Sequence, residues 1–386
     1  MLEETVLDTI DPSSPLQGQL GTVHLNLRQM MPTIDRIAVA IFDRRSGVLK
    51  TFVHSTRGET PFVHYEAPLA EVPSLAQLAR SGDDRVINDL AAPGRLPGGH
   101  DRQLLASGYR SSYTRPFYHR GELFGFVFFD SCQPHAFAPP VVRHLQVFAQ
   151  LVSLTVVEAL TPAESLRSAV EFARSVSRFR DEETGAHLYR MASYARLIAK
   201  TLAVQGGLDD EFVEFVFLFA PLHDVGKIAI PDRILLKPGR LDDGEFAIMQ
   251  THVSKGVEIV TMMAETFGIG SGQHVDVLRN IVAFHHEAVD GSGYLEGRRG
   301  ADIPLEARIV TVADVFDALT TVRPYKRAWS NDEAFALLAD LAGRKFDPDC
   351  VAALSADRPA VEVIQTRFRS AKVAFEGFHE AYLEEV

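Results

Sequence analysis

The spacing of hydrophobic and polar residues changes near residue 160. Before that point, short runs rich in β-branched and aromatic residues are separated by polar turns, which is typical of strands. Residues 36–53 predict two strands, and residues 111–118 and 123–130 predict a second pair. Both pairs have the form of antiparallel hairpins. Residues 83–103, rich in Gly, Pro and Asp, predict a loop over one face of the sheet.

Further along the chain, apolar residues recur every three or four positions, as on one face of an α-helix. A helix is predicted at residues 140–160, and Thr161-Pro162-Ala163-Glu164 has the capping-box pattern with which a new helix begins. Further helices are predicted at residues 163–180, 187–204, 210–222, 243–266, 274–285, 305–321 and 331–342. We therefore expect two domains: residues 1–160 as an α+β domain with an antiparallel sheet flanked by helices, and residues 161–386 as an all-α domain.

Composition is that of an ordinary globular protein and disfavours one class of partner. Of the 386 residues, 46% are hydrophobic and 23% are charged. Residues 161–386 hold 25 Lys and Arg against 35 Asp and Glu, so most of the net charge of -12 lies there. This balance argues against a surface for a nucleic acid polymer. The two cysteines, Cys132 and Cys350, lack the spacing of metal ligands.

The N-terminus and the apolar stretches predict the cellular compartment of the protein. The first residues have neither a basic start nor a long apolar run, so a secretory signal is not expected. The most apolar stretches, such as residues 147–160, are interrupted by Gln and Glu and fall short of a membrane span. We expect a cytoplasmic protein with reduced thiols and no membrane segment.

Histidines and carboxylates are concentrated between residues 183 and 314. Glu183 and His187 are four residues apart, so on a helix both can reach one ion or adjacent ions, although the pair also suits a solvated helix face. His223 and Asp224 follow the apolar residues 215–222. A buried Asp is costly unless it is paired or binds a metal, so the alternatives are a metal site and a neutral His hydrogen-bonded to Asp in a core.

Two further groups have the same character. His285 and His286 come at a predicted helix end, where both can serve one site because the chain turns soon afterwards. Asp314 lies in an apolar helix, and Asp317, one turn later, is expected to be its partner or a substrate contact. Imidazoles and carboxylates at this density are what a cluster of first-row divalent ions requires. The residues therefore predict a multinuclear metallohydrolase, with His274 as a bystander on a helix surface.

The N-terminal half resembles a GAF domain over about residues 15–160. The resemblance rests on the hairpin order, on Gly108-Tyr-Arg-Ser-Ser-Tyr-Thr-Arg-Pro-Phe before a Gly turn and an apolar strand, and on the helix at residues 140–160. GAF domains are small-ligand sensors and dimerisation modules, so the resemblance implies a regulatory domain with a small-molecule ligand. The apolar stripe of residues 140–180 favours a homodimer, but it could equally pack within one chain.

The C-terminal half is similar to the HD-GYP family of the HD phosphohydrolase superfamily over about residues 165–350. The signature reads His223-Asp224-Val-Gly-Lys227, then His285-His286-Glu287-x-x-Asp290-Gly-x-Gly-Tyr294, then Asp314-x-x-Asp317-Ala-Leu-Thr, then Arg323-Pro-Tyr-Lys326. The resemblance implies an enzyme that hydrolyses the bacterial second messenger cyclic di-GMP to pGpG, GMP or both. Two or three divalent ions, iron or manganese, would be held by Glu183, His187, His223, Asp224, His252, His285, His286 and Asp314.

Phosphodiester hydrolysis needs a nucleophile that is strong at neutral pH. A hydroxide bridging two ions would provide it, because metal binding lowers the pKa of water to about 7. Asp224, which can bridge cations, and Lys227, one turn beyond His223, would be the catalytic residues, although Lys227 could instead lie exposed at a helix end. By the resemblance, the substrate would be bound by Lys227, Asp290, Tyr294, Asp317, Arg323 and Lys326, the last two as phosphate contacts.

One position departs from the family pattern, since the third residue of the Gly-Tyr-Pro motif is Leu295. The fixed φ of proline is missing, which puts loop rigidity, substrate preference and turnover in question, whereas no predicted ligand is lost. Three functions therefore compete. The first is a GAF-regulated cyclic di-GMP phosphodiesterase, which the complete ligand set favours. The second is a catalytically weak receptor or scaffold for a cyclic dinucleotide, and the third is an HD hydrolase of another cyclic dinucleotide.

Overall fold

The computed structural model of the protein describes residues 14–44, 46–58, 60–62, 64–92, 99–176, 185–206, 208–266, 273–321 and 328–369. The chain divides into two compact units, the first comprising residues 1–161 with 209–211 and the second residues 162–208 with 212–386. The first unit is built on an antiparallel sheet and the second is helical. The predicted fold class, an α+β domain followed by an all-α domain, is confirmed.

The sheet of the first unit has the strand order β3-β2-β1-β6-β5-β4, with every neighbouring pair antiparallel. Both predicted hairpins are confirmed, as the pairs β1–β2 and β5–β6. Ala38 and Ala40 alternate along β1 and pack with Phe126 and Phe128 of β6, on one face of a strand whose first six residues are all buried. The strands are β1 (Arg36–Asp43), β2 (Val48–Thr56), β3 (Glu66–Pro68), β4 (Arg85–Ile87), β5 (Ser111–His119) and β6 (Glu122–Ser131).

The first unit also contains the helices α1 (Leu16–Met30), α2 (Pro73–Ser81) and α3 (Gly99–Ala106). Two leucines of α2, Leu75 and Leu78, pack into the cluster on the sheet. The prediction of a loop at residues 83–103 is wrong in part, because β4 pairs with β5 and α3 begins within this range; residues 93–98 lie outside the described residues. A three-residue strand and a short polar helix have too little periodicity to be recognised in a sequence.

Helix α4 (Pro139–Val176) is longer than the sequence predicts. The expected helix start at Thr161-Pro162 is wrong, since α4 continues through both residues. A proline inside a helix costs one backbone hydrogen bond, but Leu160 and Ala163 on either side are both 2% exposed, and this burial favours continuation. The segment Pro139–Ser165 is also long and apolar enough to cross a membrane, contrary to the prediction, although core helices of soluble proteins pass the same test.

Beyond α4 the described chain is helical. The predicted helix at residues 243–266 is interrupted at Thr251, whose hydroxyl donates to the Ile248 carbonyl at 2.7 Å, so that His252 begins a new helix. The last two helices, α13 and α14, are additional to the prediction. The helices are α5 (Gly185–Gly206), α6 (Asp210–Phe219), α7 (Asp232–Leu235), α8 (Asp243–Gln250), α9 (His252–Thr266), α10 (Gln273–Phe284), α11 (Leu305–Thr320), α12 (Asn331–Leu341), α13 (Pro348–Ala356) and α14 (Arg358–Arg369).

Four helices form the centre of the second unit. Helix α5 packs against α11, and α10 packs against both α9 and α11. In the contact between α5 and α11, the buried rings of Tyr194 and Phe316 meet edge to face with their centroids 5.1 Å apart. The predicted site residues His187, His252, His285 and Asp314 lie on, or directly after, these four helices.

Candidate metal centre

Close packing against α9 fixes the turn that carries His223 and Asp224. Both residues lie between two 3₁₀ turns and are 1% and 5% exposed. A Cβ atom on Gly226 would lie 1.9 Å from the His252 carbonyl oxygen and 2.5 Å from the Gly256 amide nitrogen. Only glycine fits this contact, which brings the Asp224 carboxylate beside the His252 ring.

The Asp224 carboxylate lies among the imidazoles of the predicted site. Its Oδ1 atom is 3.2 Å from Nε2 of His252 and 3.6 Å from Nε2 of His285. Its Oδ2 atom is 3.1 Å from Nε2 of His223. Ligand atoms of Asp224, His252, His285 and His286 all lie within 4.8 Å of one another. Four predicted ligands therefore converge on the space of a single ion.

Backbone carbonyls set the tautomer of three of these histidines. The Nδ1 atoms of His223, His252 and His285 donate hydrogen bonds of 2.7–3.1 Å to carbonyl oxygens three or four residues earlier in the chain. A carbonyl oxygen only accepts, so Nδ1 carries the hydrogen and Nε2 presents its lone pair to Asp224. This is the arrangement in which a histidine binds a metal ion through Nε2.

The buried atoms of this cluster fit a cation. Nε2 of His252, Nε2 of His285 and Oδ1 of Asp224 are buried and have no hydrogen-bond partner within the described part of the chain. Burying hydrogen-bond acceptors together without donors costs free energy, and a cation bound between them would remove this cost. Burial, with the neighbouring His285 ring, lowers the pKa of His286 to about 2 and so keeps it in the neutral form that binds metals.

His187 and Asp314 extend the group of donors beyond one ion. Nε2 of His187 is 3.7 Å from Oδ1 of Asp314, and Nε2 of His223 is 4.0 Å from the same oxygen. Because His223 is close to both Asp224 and Asp314, the donors form one elongated group. A site for more than one ion requires such a group.

Asp317 lies behind His187 and is fully buried. Nδ1 of His187 donates to Asp317 at 2.6 Å, and Arg190 donates two hydrogen bonds to the same carboxylate at 2.7 and 2.8 Å. Burial opposes ionisation, but the hydrogen bonds from His187 and Arg190 outweigh it and lower the pKa of Asp317. This position favours the orienting role of Asp317 over the alternative of a substrate contact.

Arg190 is absent from the sequence-based prediction. It follows His187 by three residues, so both side chains lie on one face of α5. The guanidinium also donates to the Thr321 hydroxyl at 2.9 Å. The spacing from His187 is a signal that the sequence contains, but only the fold reveals that Asp317 meets both residues.

Lys227 and Tyr294 border the cluster. The Lys227 ammonium is 2.6 Å from Oδ2 of Asp224. Burial opposes ionisation of Asp224, but the Lys227 ammonium outweighs it and holds the pKa of Asp224 well below its usual range. The Tyr294 ring stacks on the His286 ring with centroids 4.7 Å apart and planes 26° apart. Asp290 accepts from the Ser292 amide at 2.9 Å in an exposed turn.

Some predicted residues cannot be placed. Glu183, Arg323 and Lys326 lie outside the described residues. His274 belongs to the first turn of α10, and only its backbone is described. The position of these four side chains relative to the cluster therefore stays a prediction.

The first unit contains a cavity of about 430 Å³ including its mouth. Arg36 and Lys50, each 3% exposed, lie in its wall. The His100 ring also lines it and stacks on Phe62 with centroids 4.3 Å apart. Burial, reinforced by the charge of Arg36, lowers the pKa of His100 to about 4.

Comparison with known protein families identifies both halves of the chain. The GAF domain family matches residues 16–156, and the HD domain family matches residues 182–350. Residues 16–156 are therefore similar to GAF domains and residues 182–350 to HD domains, in agreement with the two resemblances expected from the sequence.

Three characterised proteins are similar to the chain. The cyclic di-GMP phosphodiesterase response regulator RpfG of Xanthomonas campestris pv. campestris (strain 8004) is 47% identical over 193 residues, 50% of this chain and 48% of that protein. A cyclic di-GMP phosphodiesterase of Thermotoga maritima is 36% identical over 220 residues, 57% of each chain. The 3'3'-cGAMP-specific phosphodiesterase 2 of Vibrio cholerae serotype O1 is 44% identical over 172 residues, 45% of this chain and 31% of that protein. The chain thus spans about half the length of the first two relatives.

Proposed function

We propose that this protein is a metal-dependent phosphodiesterase that hydrolyses cyclic di-GMP to pGpG, GMP or both under the control of its GAF domain. Residues 1–160 would act as the sensor and residues 161–386 as the HD-GYP domain. Similarity to two cyclic di-GMP phosphodiesterases, at 47% and 36% identity, supports the substrate. The observation that carries the proposal is the buried Asp224 carboxylate, which faces the Nε2 atoms of His252 and His285.

The metal ions supply the chemistry that the side chains lack. When bound, they would activate a water molecule as nucleophile and neutralise the phosphoryl oxygens. A mixture of imidazole and carboxylate donors suits iron or manganese. We assign two or three ions to the eight predicted ligands, Glu183, His187, His223, Asp224, His252, His285, His286 and Asp314.

The remaining residues bind and orient the substrate. Lys227 is 23% exposed, so its ammonium can donate both to Asp224 and to a phosphate oxygen that enters from solvent. Tyr294 offers an aromatic surface beside the cluster, on which a guanine base can stack. Arg323 and Lys326 would contact the second phosphate, and Asp290 would contact the ligand at the loop. Asp317 would orient His187.

The function is tested on the full-length protein loaded anaerobically with Fe(II) or Mn(II). We expect chromatography to detect conversion of cyclic di-GMP to pGpG or GMP, and we expect Asp224→Asn to abolish it. Asp340→Asn, which alters an exposed carboxylate in an exposed ion pair, is the matched control and should retain the rate. Elemental analysis without bound transition metal, together with no turnover after loading, would overturn the proposal.

The same assay separates the competing functions. A receptor or scaffold would bind cyclic di-GMP without turnover. A hydrolase of another cyclic dinucleotide would prefer 3'3'-cGAMP, on which the Vibrio cholerae relative acts by name. We expect a larger kcat/KM for cyclic di-GMP than for 3'3'-cGAMP, and the opposite order would reassign the substrate without altering the metal chemistry.

The same proposal includes a cytoplasmic homodimer whose GAF cavity takes a small molecule. Val147 and Leu154 on α4 are 69% and 56% exposed and lie seven residues apart, hence on one face of the helix. An apolar face on a regulatory domain supports dimerisation through α4. Arg36 in the cavity wall is buried and pairs with Asp130, but its Nε atom has no hydrogen-bond partner among the described residues, which supports a ligand with an acceptor group.

A further inference from the structure

Glu287 is a buried carboxylate that takes part in no step described above. It follows His286 directly and is 3% exposed. Its Oε1 atom accepts hydrogen bonds from the backbone amides of Glu296 at 2.7 Å and Gly297 at 3.1 Å. Two amide donors on one carboxylate oxygen form a charge-assisted contact, which is stronger than a neutral one. Glu287 therefore ties the end of the Tyr294 loop to the segment that carries His286.

The start of the same loop is tied to the same segment. The Tyr294 amide donates to the His286 carbonyl at 3.2 Å. A Cβ atom on Gly293 would lie 2.4 Å from the Ala288 amide nitrogen and 2.5 Å from the His286 carbonyl oxygen, so the loop backbone lies directly on residues 286–288. The loop is thus attached on both sides of Leu295.

Leu295 itself does little to hold the loop. It is 52% exposed, so packing of its side chain cannot fix the backbone around it. The residue at this position also lacks the fixed φ that a proline would give. Apart from the Tyr294 ring, which contacts His286 and Phe246, the loop is held by the backbone contacts on either side of Leu295. Among the contacts described here, that of Glu287 can be removed by substituting a side chain outside the loop.

We propose that Glu287 is a positioning residue that holds the Tyr294 ring against His286. Its contact with the loop restricts the loop backbone, as the fixed φ of a proline at position 295 would. The inference rests on the proposed function, because it assigns Tyr294 to the substrate. It predicts that loss of the Glu287 carboxylate loosens the Tyr294 loop while leaving the metal ligands in place. Substrate binding should then suffer more than the chemical step.

The test uses full-length protein with the variants Glu287→Ala and Glu287→Gln. Glutamine keeps an acceptor oxygen for the two amides, whereas alanine removes it. In Glu287→Ala we expect the amides of Glu296 and Gly297 to exchange hydrogen about tenfold faster or more, and KM for cyclic di-GMP to rise about tenfold. We expect kcat and the metal content to stay within about twofold. Glu287→Gln should restore both the slow exchange and the KM.

Glu296→Ala is the matched control, because it removes an exposed carboxylate from the same loop and leaves its backbone amide intact. The Glu296 side chain is 52% exposed and pairs only with Arg298 among the ion pairs of the described residues. We expect amide exchange at residues 296 and 297 and the KM to match the wild type. An effect as large as that of Glu287→Ala would mean that any change in the loop disturbs binding, and the inference would fail.

Further outcomes decide the remaining cases. Unchanged amide exchange at residues 296 and 297 in Glu287→Ala would contradict the inference. The inference would also fail if Glu287→Gln showed slow amide exchange but had the same raised KM as Glu287→Ala. If Glu287→Ala fails to fold, Glu287→Asp, which is shorter by one methylene, must give faster exchange and a raised KM for the inference to hold. Absence of turnover in the wild type would refute the proposed function alone, because amide exchange and equilibrium binding of cyclic di-GMP still test Glu287.

Discussion

Nδ1 of His187 donates a hydrogen bond to the Asp317 carboxylate at 2.6 Å across the contact between α5 and α11. The two residues are 130 positions apart in the chain, and both lie in the buried interior. The bond fixes the tautomer of His187 so that Nε2 faces Asp314. The ring of His187, which we propose as a metal ligand, is therefore oriented by a carboxylate on the neighbouring helix.

Arg190 should control His187 through Asp317. In Arg190→Met the buried Asp317 loses two hydrogen bonds and its guanidinium partner, so the carboxylate no longer holds the His187 ring as firmly. We expect metal affinity to fall about tenfold to a hundredfold, and turnover at limiting metal to fall with it. Titration with Mn(II) followed by elemental analysis measures this. The exposed Arg279→Met is the control, and equal metal affinity in the two variants would contradict the expectation.

Gly226 should be intolerant of a side chain. The Cβ atom of Gly226→Ala would meet the backbone of α9, which has no flexible side chain to move away. We expect a loss of about 1–3 kcal/mol in the free energy of unfolding of the second unit, with loss of metal as Asp224 shifts from His252. Urea titration monitored by Trp329 fluorescence measures the stability.

Gly206→Ala serves as the control for that experiment, because no atom lies within 4 Å of the position of its Cβ. This variant lies near the end of α5, where alanine favours the helix. It should be as stable as the wild type or slightly more stable. If both glycine variants lost the same stability, the close approach at Gly226 would not be the cause.

His100 should make the first unit sensitive to acid. Its pKa is lowered to about 4 in the folded protein, against about 6.5 in an unfolded chain. The unfolded state therefore binds the proton more tightly, so stability is intact above pH 6.5 and falls as the pH decreases toward 4. We expect a loss of at most about 3 kcal/mol over this range.

His100→Phe should remove most of that pH dependence, because phenylalanine keeps the stack on Phe62 and cannot take up a proton. Amide exchange in the central strands β1 and β6 at pH 7 and pH 5 reports the stability of this unit. The exposed His144→Gln should behave as the wild type. An unchanged pH dependence in His100→Phe would assign the acid sensitivity to other groups.

The sequence predicts those features of the protein that depend on residues close together in the chain. The hairpins of the sheet and the pair His223-Asp224 are local patterns, and the convergence of His252 and His285 on Asp224 agrees with the expectation of a shared site. The continuation of α4 through Pro162 depends on the burial of Leu160 and Ala163, which a capping pattern does not reveal. The interruption at Thr251 is likewise hidden, because apolar periodicity continues across it.

The roles of Arg190 and Glu287 could not be predicted for a related reason. Each acts on a partner whose position is set by tertiary packing: Asp317 on another helix for Arg190, and two backbone amides of a returning loop for Glu287. Every residue except proline has a backbone amide N–H, so a sequence does not show which amides a carboxylate binds. The residues with the strongest chemical signature are therefore found from sequence, whereas those that position them are found from the fold.

The exposed apolar face of α4 should control the oligomeric state. Val147→Glu with Leu154→Glu places two carboxylates on the helix face that we propose to be covered in a homodimer, and burying them there would be costly. We expect light scattering coupled to size exclusion to give a dimer for the wild type and a monomer for the double variant. The control is Val363→Glu on α14, which is 64% exposed and should leave the dimer intact. A wild-type protein of monomeric mass would rule out the homodimer. A dimer in the double variant would mean that another surface joins the two copies, and that this face of α4 serves a different contact.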